Sequence, residues 1–345
     1  MSQIFKVGIV GSGFGTKAHL PALTAHKRFE VIALASPHSA KAIAAERKVS
    51  HAFASCKEML DAIGDELDCV VIAAPPFLHH EDILTTLERK LHVLCEKPFA
   101  LNLAQAEEMV RAAERAGTAC GISHEFRWIP QRIAIKQLIQ NGHLAPMREI
   151  EITQLSGNLR TSGTRQRGWW FEKERGGGLA GALLSHLIDS ANNLAGRPPV
   201  RSTGFIRTAN PQRHDENGAF TSTVDDGAFA MLDYGDGLIA LLTVDGTCAV
   251  NQFTLSAHAE NRTAVASGAT PDALKLFSVD DEETNELNCK PSPYTKFATV
   301  GPLIPWLMEL YDEWVKQIET GTSALPTFQE ALVTQRVLES VGYST

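Results

Sequence analysis

Chemistry is first implied by Gly11-Ser12-Gly13-Phe14-Gly15-Thr16, which directly follows a strand-length apolar run and precedes a helical stretch. In that setting Gly11 permits a tight turn and Gly13 lets the main chain approach a pyrophosphate. Phe14 and Gly15 lead into a helix whose free N–H groups face the anion. Thr16 stands where a third glycine is usual, so an ordinary glycine-rich turn is the alternative reading. The second strand-like run ends at Ala35-Ser36 with no Asp or Glu to hold a ribose hydroxyl; Ser36, His38 and Lys41 offer a hydroxyl and two potential cations instead. Such a set suits a 2′-phosphate, so NADP(H) is expected over NAD(H), with a solvated loop as the alternative. Ala73-Ala74-Pro75-Pro76 presents no side chain large enough to obstruct a ribose or a flat ring. His79 and His80 are adjacent and cannot share one helix face, so no metal site is read there.

A second group lies farther along. Gly176-Gly177-Gly178 opens a helical stretch carrying His186 and Asp189. An imidazole titrates near neutrality and can exchange a proton with an alcohol, although a histidine on an amphipathic helix more often serves packing. Asp189 lies near the same face and either orients that ring or is structural. Trp169 and Trp170 precede the glycines; an indole face stacks on the C–H face of a sugar, covers a nicotinamide, or packs into a core. His124-Glu125-Phe126-Arg127 should project from the carboxyl end of a sheet, where His124 and Arg127 meet an anionic or polyhydroxylated ligand, or Glu125 and Arg127 pair with each other.

The elements that must position these residues follow from periodicity. Phe5 to Val10, Phe29 to Ala35, Cys69 to Ala74 and His92 to Cys95 are strand-length and rich in Val, Ile and Leu, separated by amphipathic stretches such as Ala104 to Ala116. That alternation predicts βαβ units around a parallel sheet, closed by a strand at Ala119 to Ser123. After Pro130 the pattern changes: helix from Arg132 to Gln140, strand from Arg148 to Leu155, a hairpin of Ala228 to Asp233 and Leu238 to Asp245, and a strand at Gln252 to His258. Asp280 to Asn288 reads as an acidic surface loop, and Pro305 to Glu319 and Thr327 to Val341 as helices. The fold class is therefore α/β: a Rossmann doubly wound parallel sheet over 1–125, then an α+β domain over 126–345 with a large, mostly antiparallel open sheet. Such an open sheet predicts a homodimer or homotetramer.

The chain has 345 residues with 40 acids against 32 Lys and Arg, a formal charge of −8, which disfavours nucleic acid as a partner. No apolar run is long enough to span a membrane and no signal-peptide pattern opens the chain. Six scattered cysteines without a C-x-x-C pair fit reduced thiols, so a cytoplasmic location is expected.

The run Cys95-Glu96-Lys97-Pro98, with Gly11-x-Gly13 and Pro75-Pro76-x-x-His79, resembles the glucose-fructose oxidoreductase, inositol dehydrogenase and rhizopine-catabolism (Gfo/Idh/MocA) family from Val7 through Asp189 and more loosely to the C-terminus. The resemblance implies an NAD(P)-dependent dehydrogenase or reductase acting on a secondary alcohol or carbonyl of a sugar, polyol or related compound. It places Glu96 and Lys97 at the nicotinamide, with Lys97 binding the reacting oxygen, and it implies a cis Lys97-Pro98 peptide. Physically, a cation where alkoxide charge develops stabilises the transition state more than the ground state. His186 matches the family's histidine and becomes the general acid or base, donated by the second domain to meet Lys97. Ala182 stands where the family places an aspartate four residues earlier. That departure keeps two other readings open: a non-catalytic, cofactor-binding regulator of the same fold, and an NAD-dependent glycosidase. Substrate specificity is expected in the Arg160 to Arg167 and Thr208 to Asn217 loops.

Overall fold

The computed structural model describes residues 3–160, 166–268, 272–279 and 285–344. Six short parallel strands come first: β1 (Phe5–Val10), β2 (Phe29–Ala35), β3 (His51–Phe53), β4 (Cys69–Ile72), β5 (His92–Cys95) and β6 (Cys120–Ile122). Their order, β3-β2-β1-β4-β5-β6, reverses direction between β1 and β4, which opens a crevice at the carboxyl ends of those two strands. Helices α1 (Leu20–Ala25), α2 (Ala40–Arg47), α3 (Cys56–Ile63), α4 (Pro76–Glu88) and α5 (Leu103–Ala116) make the crossovers. Val7, Ile9, Val70, Val71, Val93 and Leu94 are fully buried, as strands covered on both faces must be. Helix α5 begins where the Asn102 side chain accepts the Gln105 N–H and ends at Gly117, whose φ of +67° suits the left-handed stop.

The next part of the chain supplies α6 (Pro130–Gln140), β7 (Met147–Leu155), α7 (Ser185–Ala195), β8 (Arg201–Arg207), β9 (Gln212–Asp215), β10 (Gly218–Thr221), β11 (Gly227–Asp233) and β12 (Ile239–Asp245). It continues through β13 (Gln252–Ala259), β14 (Arg262–Ser267), β15 (Ala273–Ser278) and β16 (Asn285–Asn288). Eight of these strands form one sheet, β16-β15-β14-β13-β7-β12-β11-β8, antiparallel except for β7 against β12. One face, with Ile150, Ile152, Leu242, Val244, Leu255 and Ala257, is buried where α7 packs on β7 and β12 and α6 on β14. Asn285–Asn288 is an edge strand rather than the loop expected there; 280–284 lie outside the described residues. Its polar residues conceal the pairing, because an exposed edge strand needs no apolar alternation.

The chain ends with α8 (Ile304–Thr320) and α9 (Phe328–Ser340). It divides into two compact units: Met1–Glu125 with Ser292–Leu332, and Phe126–Pro291 with Val333–Thr345. Residues 292–332, expected with the second domain, thus join the first unit. Trp314 of α8 stacks on Phe29 at 5.6 Å between ring centroids and donates Nε1–H to Ala119 O at 3.2 Å. The Ile122 N–H donates to Pro326 O at 2.8 Å, closing the β6 edge of the parallel sheet. Among the described residues no helix is long and apolar enough to cross a membrane.

Candidate active site

In the first unit four chain segments leave the carboxyl end of the parallel sheet side by side. Main-chain bonds extend the ladder one step past each strand: Gly11 N–H to Ala35 O and Ala73 N–H to Val10 O, both 2.8 Å, Glu96 N–H to Ile72 O at 2.8 Å, and Ser123 N–H to Cys95 O at 2.7 Å. The glycine turn, the Ala73–Pro76 loop and the Glu96-Lys97-Pro98 run therefore emerge in a row from β1, β4 and β5. At ~4.8 Å per strand spacing, Lys97 lies roughly 10 Å across the sheet from the turn.

Gly11 has a φ of +102°, and a Cβ there would sit 2.2 Å from Ala73 O, so this position excludes every larger residue. Beside Gly13 no atom of the described residues lies within 4 Å of where a Cβ would be, leaving open space for a phosphate group to reach the main chain. Those two observations fit a dinucleotide pyrophosphate. Phe14 is half-buried, and Gly15 opens a π-helical turn, Gly15–His19, that feeds into α1. Beyond β2, the Ser36 hydroxyl lies 3.0 Å from Ser12 Oγ, while His38 and Lys41 are exposed. Ala74 is buried, Pro75 precedes α4 and Pro76 is its first residue, where a missing N–H costs nothing.

Lys97 is half-buried, and the Lys97-Pro98 peptide is cis. Glu96 is buried, with its carboxylate turned toward His19 at 2.9 Å. Burial pushes this carboxyl up, but the His19 bond and the neighbouring positive charge outweigh it and hold Glu96 below the ordinary carboxylate range. His79 is fully buried: Nε2 lies 2.9 Å from Ala74 O and Nδ1 3.0 Å from Pro98 O, so its ring ties together the loops after β4 and β5. Desolvation keeps it below the ordinary imidazole value. His80 pairs with Glu108 instead. His124 is buried just past β6, where its main-chain N–H donates to Ile122 O at 2.9 Å.

In the second unit the triple glycine is explained by close approach. A Cβ on Gly177 would meet Trp170 O at 2.1 Å, and one on Gly178 would meet Asp225 Oδ1 at 2.3 Å. Trp169 and Trp170 form a 3-10 turn and are half-buried, Trp170 edge-on to Phe171 at 5.2 Å. The glycines lead into a second π-helical turn, Ala180–Leu184, which holds Ala182 and continues as α7 with His186. Asp225 accepts the Ala180 N–H at 2.7 Å, capping that turn. Burial pushes the Asp225 carboxyl up to about 6. The His186 ring stacks on Phe126 at 4.0 Å and 16°, and the Arg132 guanidinium sits over Phe126 at 5.0 Å and Phe253 at 5.3 Å. Asp189, on the same helix, receives the Arg127 fork at 2.6 and 2.9 Å. Arg127 is thus committed to a bidentate ion pair within its own unit.

Sequence reasoning missed His19, Tyr311, Phe126, Arg132 and Asp225. Only Asp225 carried a signal: an Asp-Asp pair directly before a strand. Of the two loops expected to set specificity, 161–165 lie outside the described residues, and Thr208 to Asn217 contains β9.

Residues 5–124 match the family model described as oxidoreductase family, NAD-binding Rossmann fold, and residues 133–265 match that of the GFO/IDH/MocA C-terminal domain. The chain is 26% identical to an uncharacterized oxidoreductase of Synechocystis sp., covering 96% of this chain and 92% of that protein. It is 25% identical to glucose-6-phosphate 3-dehydrogenase of Bacillus subtilis, covering 97% and 94%. Among solved structures, levoglucosan dehydrogenase in complex with NADH superposes with a TM-score of 0.86 over 98% of this chain and 96% of that one, at 21% identity, a likeness of fold.

Proposed function

Because the chain belongs to the Gfo/Idh/MocA oxidoreductase family, we propose that it transfers a hydride between a nicotinamide and a secondary alcohol or carbonyl of a sugar, polyol or related small molecule. The observation that carries this reading is Lys97 at the carboxyl end of β5, in one row with the Gly11 turn and the Ala74-Pro75-Pro76 loop. A bound nicotinamide supplies the hydride acceptor or donor. Lys97 binds the substrate oxygen, where its charge matters most as alkoxide character develops. His186 takes the hydroxyl proton in oxidation and returns it in reduction. The named sugar dehydrogenase among the relatives supports a carbohydrate substrate.

The cofactor preference we infer is NADP(H) over NAD(H), because β2 ends without an acid and the exposed His38 and Lys41 lie just beyond it. A lower Kd for NADH than for NADPH overturns that preference. Assembly into a homodimer or homotetramer is inferred from the open face of the large sheet, where Phe205 and Met231 are 60% and 47% exposed. The free cysteines fit a reducing, cytoplasmic setting. Ala182 favours a second reading, a cofactor-binding regulator; retention of Lys97 and His186 weighs against it. The deciding experiment is Lys97→Ala in a sugar and polyol oxidation screen. Turnover should fall by about 10²-fold or more with cofactor Kd nearly unchanged; unaltered turnover refutes the assignment.

A further inference from the structure

Behind Lys97 lies a buried polar chain that the hydride-transfer reading does not use. His19 ends the π turn that follows the glycine loop and is fully buried. Its Nδ1 lies 2.6 Å from Tyr311 Oη and its Nε2 2.9 Å from Glu96 Oε1, while Glu96 Oε2 accepts the main-chain N–H of Lys97 at 3.3 Å. A carboxylate only accepts, so Nε2 carries a proton and donates to Glu96, while Nδ1 is tied to the Tyr311 hydroxyl. Burial pushes the Tyr311 phenol well above its ordinary value, which keeps it a donor. The Phe14 ring meets His19 edge-on at 5.5 Å, so the same imidazole is braced by the residue inside the glycine turn.

Resting on the assignment of Lys97 above, we propose that His19 and Tyr311 are positioning residues: they clamp the Glu96 carboxylate so that it holds the Lys97 peptide in one setting at the end of β5. The clamp is assembled from three places in the chain, the π turn, the β5 exit and α8, which gives the segment 292–332 a part in the cofactor-binding unit's chemistry. The titratable groups facing Glu96 are His19 from the π turn, Lys97 and Cys95 on its own segment, and His79 from α4. Tyr311 reaches it through His19 and also feels Glu125. Of these, His19 donates the side-chain bond that keeps a buried Glu96 charged.

Three variants test this. His19→Leu removes the donor, His19→Gln replaces it with a carboxamide N–H, and Tyr311→Phe removes only the hydroxyl. For His19→Leu we expect kcat to fall at least about tenfold with NADPH and NADH Kd within about threefold of wild type and, in profiles recorded from about pH 5 to 8, a new acid limb as Glu96 takes up a proton. His19→Gln should restore most of kcat. Tyr311→Phe, the milder change, should show the same new acid limb with a smaller loss. A loss in His19→Leu that is equal at every pH, or no loss, overturns the proposal; should that variant not fold, a pH profile in Tyr311→Phe identical to wild type does so. In parallel, the ¹³C carboxyl resonance of Glu96, assigned by its disappearance in Glu96→Gln, should be invariant over that pH range in wild type and titrate in His19→Leu or Tyr311→Phe. If wild type turns over no sugar or polyol, the proposed function fails. The carboxyl titration then decides the clamp by itself, a resonance that stays invariant in the variants overturning it.

Discussion

Asp225 offers a test of the electrostatics that support the His186 helix. Its carboxylate caps the π turn at Ala180 N–H, where a helix N-terminus favours negative charge, yet burial wins and the group titrates at about 6 rather than 3.8. The sign follows from linkage. A carboxyl whose pKa is higher folded than unfolded contributes stability that is fully present below about pH 4 and lost as pH rises through about 6. At about 1.4 kcal/mol per pKa unit the penalty above pH 6 is about 3 kcal/mol. Asp225→Asn keeps an oxygen to accept the Ala180 N–H and cannot ionise. Urea unfolding of both proteins at intervals from about pH 4 to 7.5 should show the variant's stability rising relative to wild type by about 2 to 3 kcal/mol across the range, whatever the offset at low pH. A constant difference refutes the account, because only titration of this carboxyl makes the difference vary with pH.

Gly11→Ala must place a Cβ 2.2 Å from Ala73 O at a φ of +102°, so it should lower stability by about 2 to 4 kcal/mol and abolish cofactor binding in a fluorescence titration. Trp314→Ala empties a fully buried site against Phe29 and should cost about 3 to 5 kcal/mol; if 292–332 belonged elsewhere, thermal unfolding of the cofactor-binding unit would be unchanged. On the open sheet face, Phe205 stacks on Phe229 at 5.0 Å next to Met231. The pair Phe205→Glu and Met231→Glu should shift the protein to monomers in sedimentation velocity, and an unchanged assembly state would exclude this face as the interface.

Local pattern made much of this protein legible. Apolar runs of strand length, separated by amphipathic stretches, announce a parallel sheet, because strands covered on both faces have no polar alternation to hide them. Gly11 and Gly13 read as places of a tight turn and close approach, since only the absence of a side chain permits them, whereas the close contacts of Gly177 and Gly178 came from the tertiary structure. Lys97 was legible through the run around it rather than through its own chemistry. The tertiary structure alone decided the partners. Tyr311 and His19 bond across 292 residues, and Arg127 and Asp189 across 62, separations at which no periodicity carries a trace. The same holds for β7 beside β12 as a parallel pair and for α8 against β2. A buried histidine and an exposed one are the same letter; what distinguishes His19, His79 and His186 is which polar atoms and rings the rest of the chain brings within about 3 to 4 Å of them.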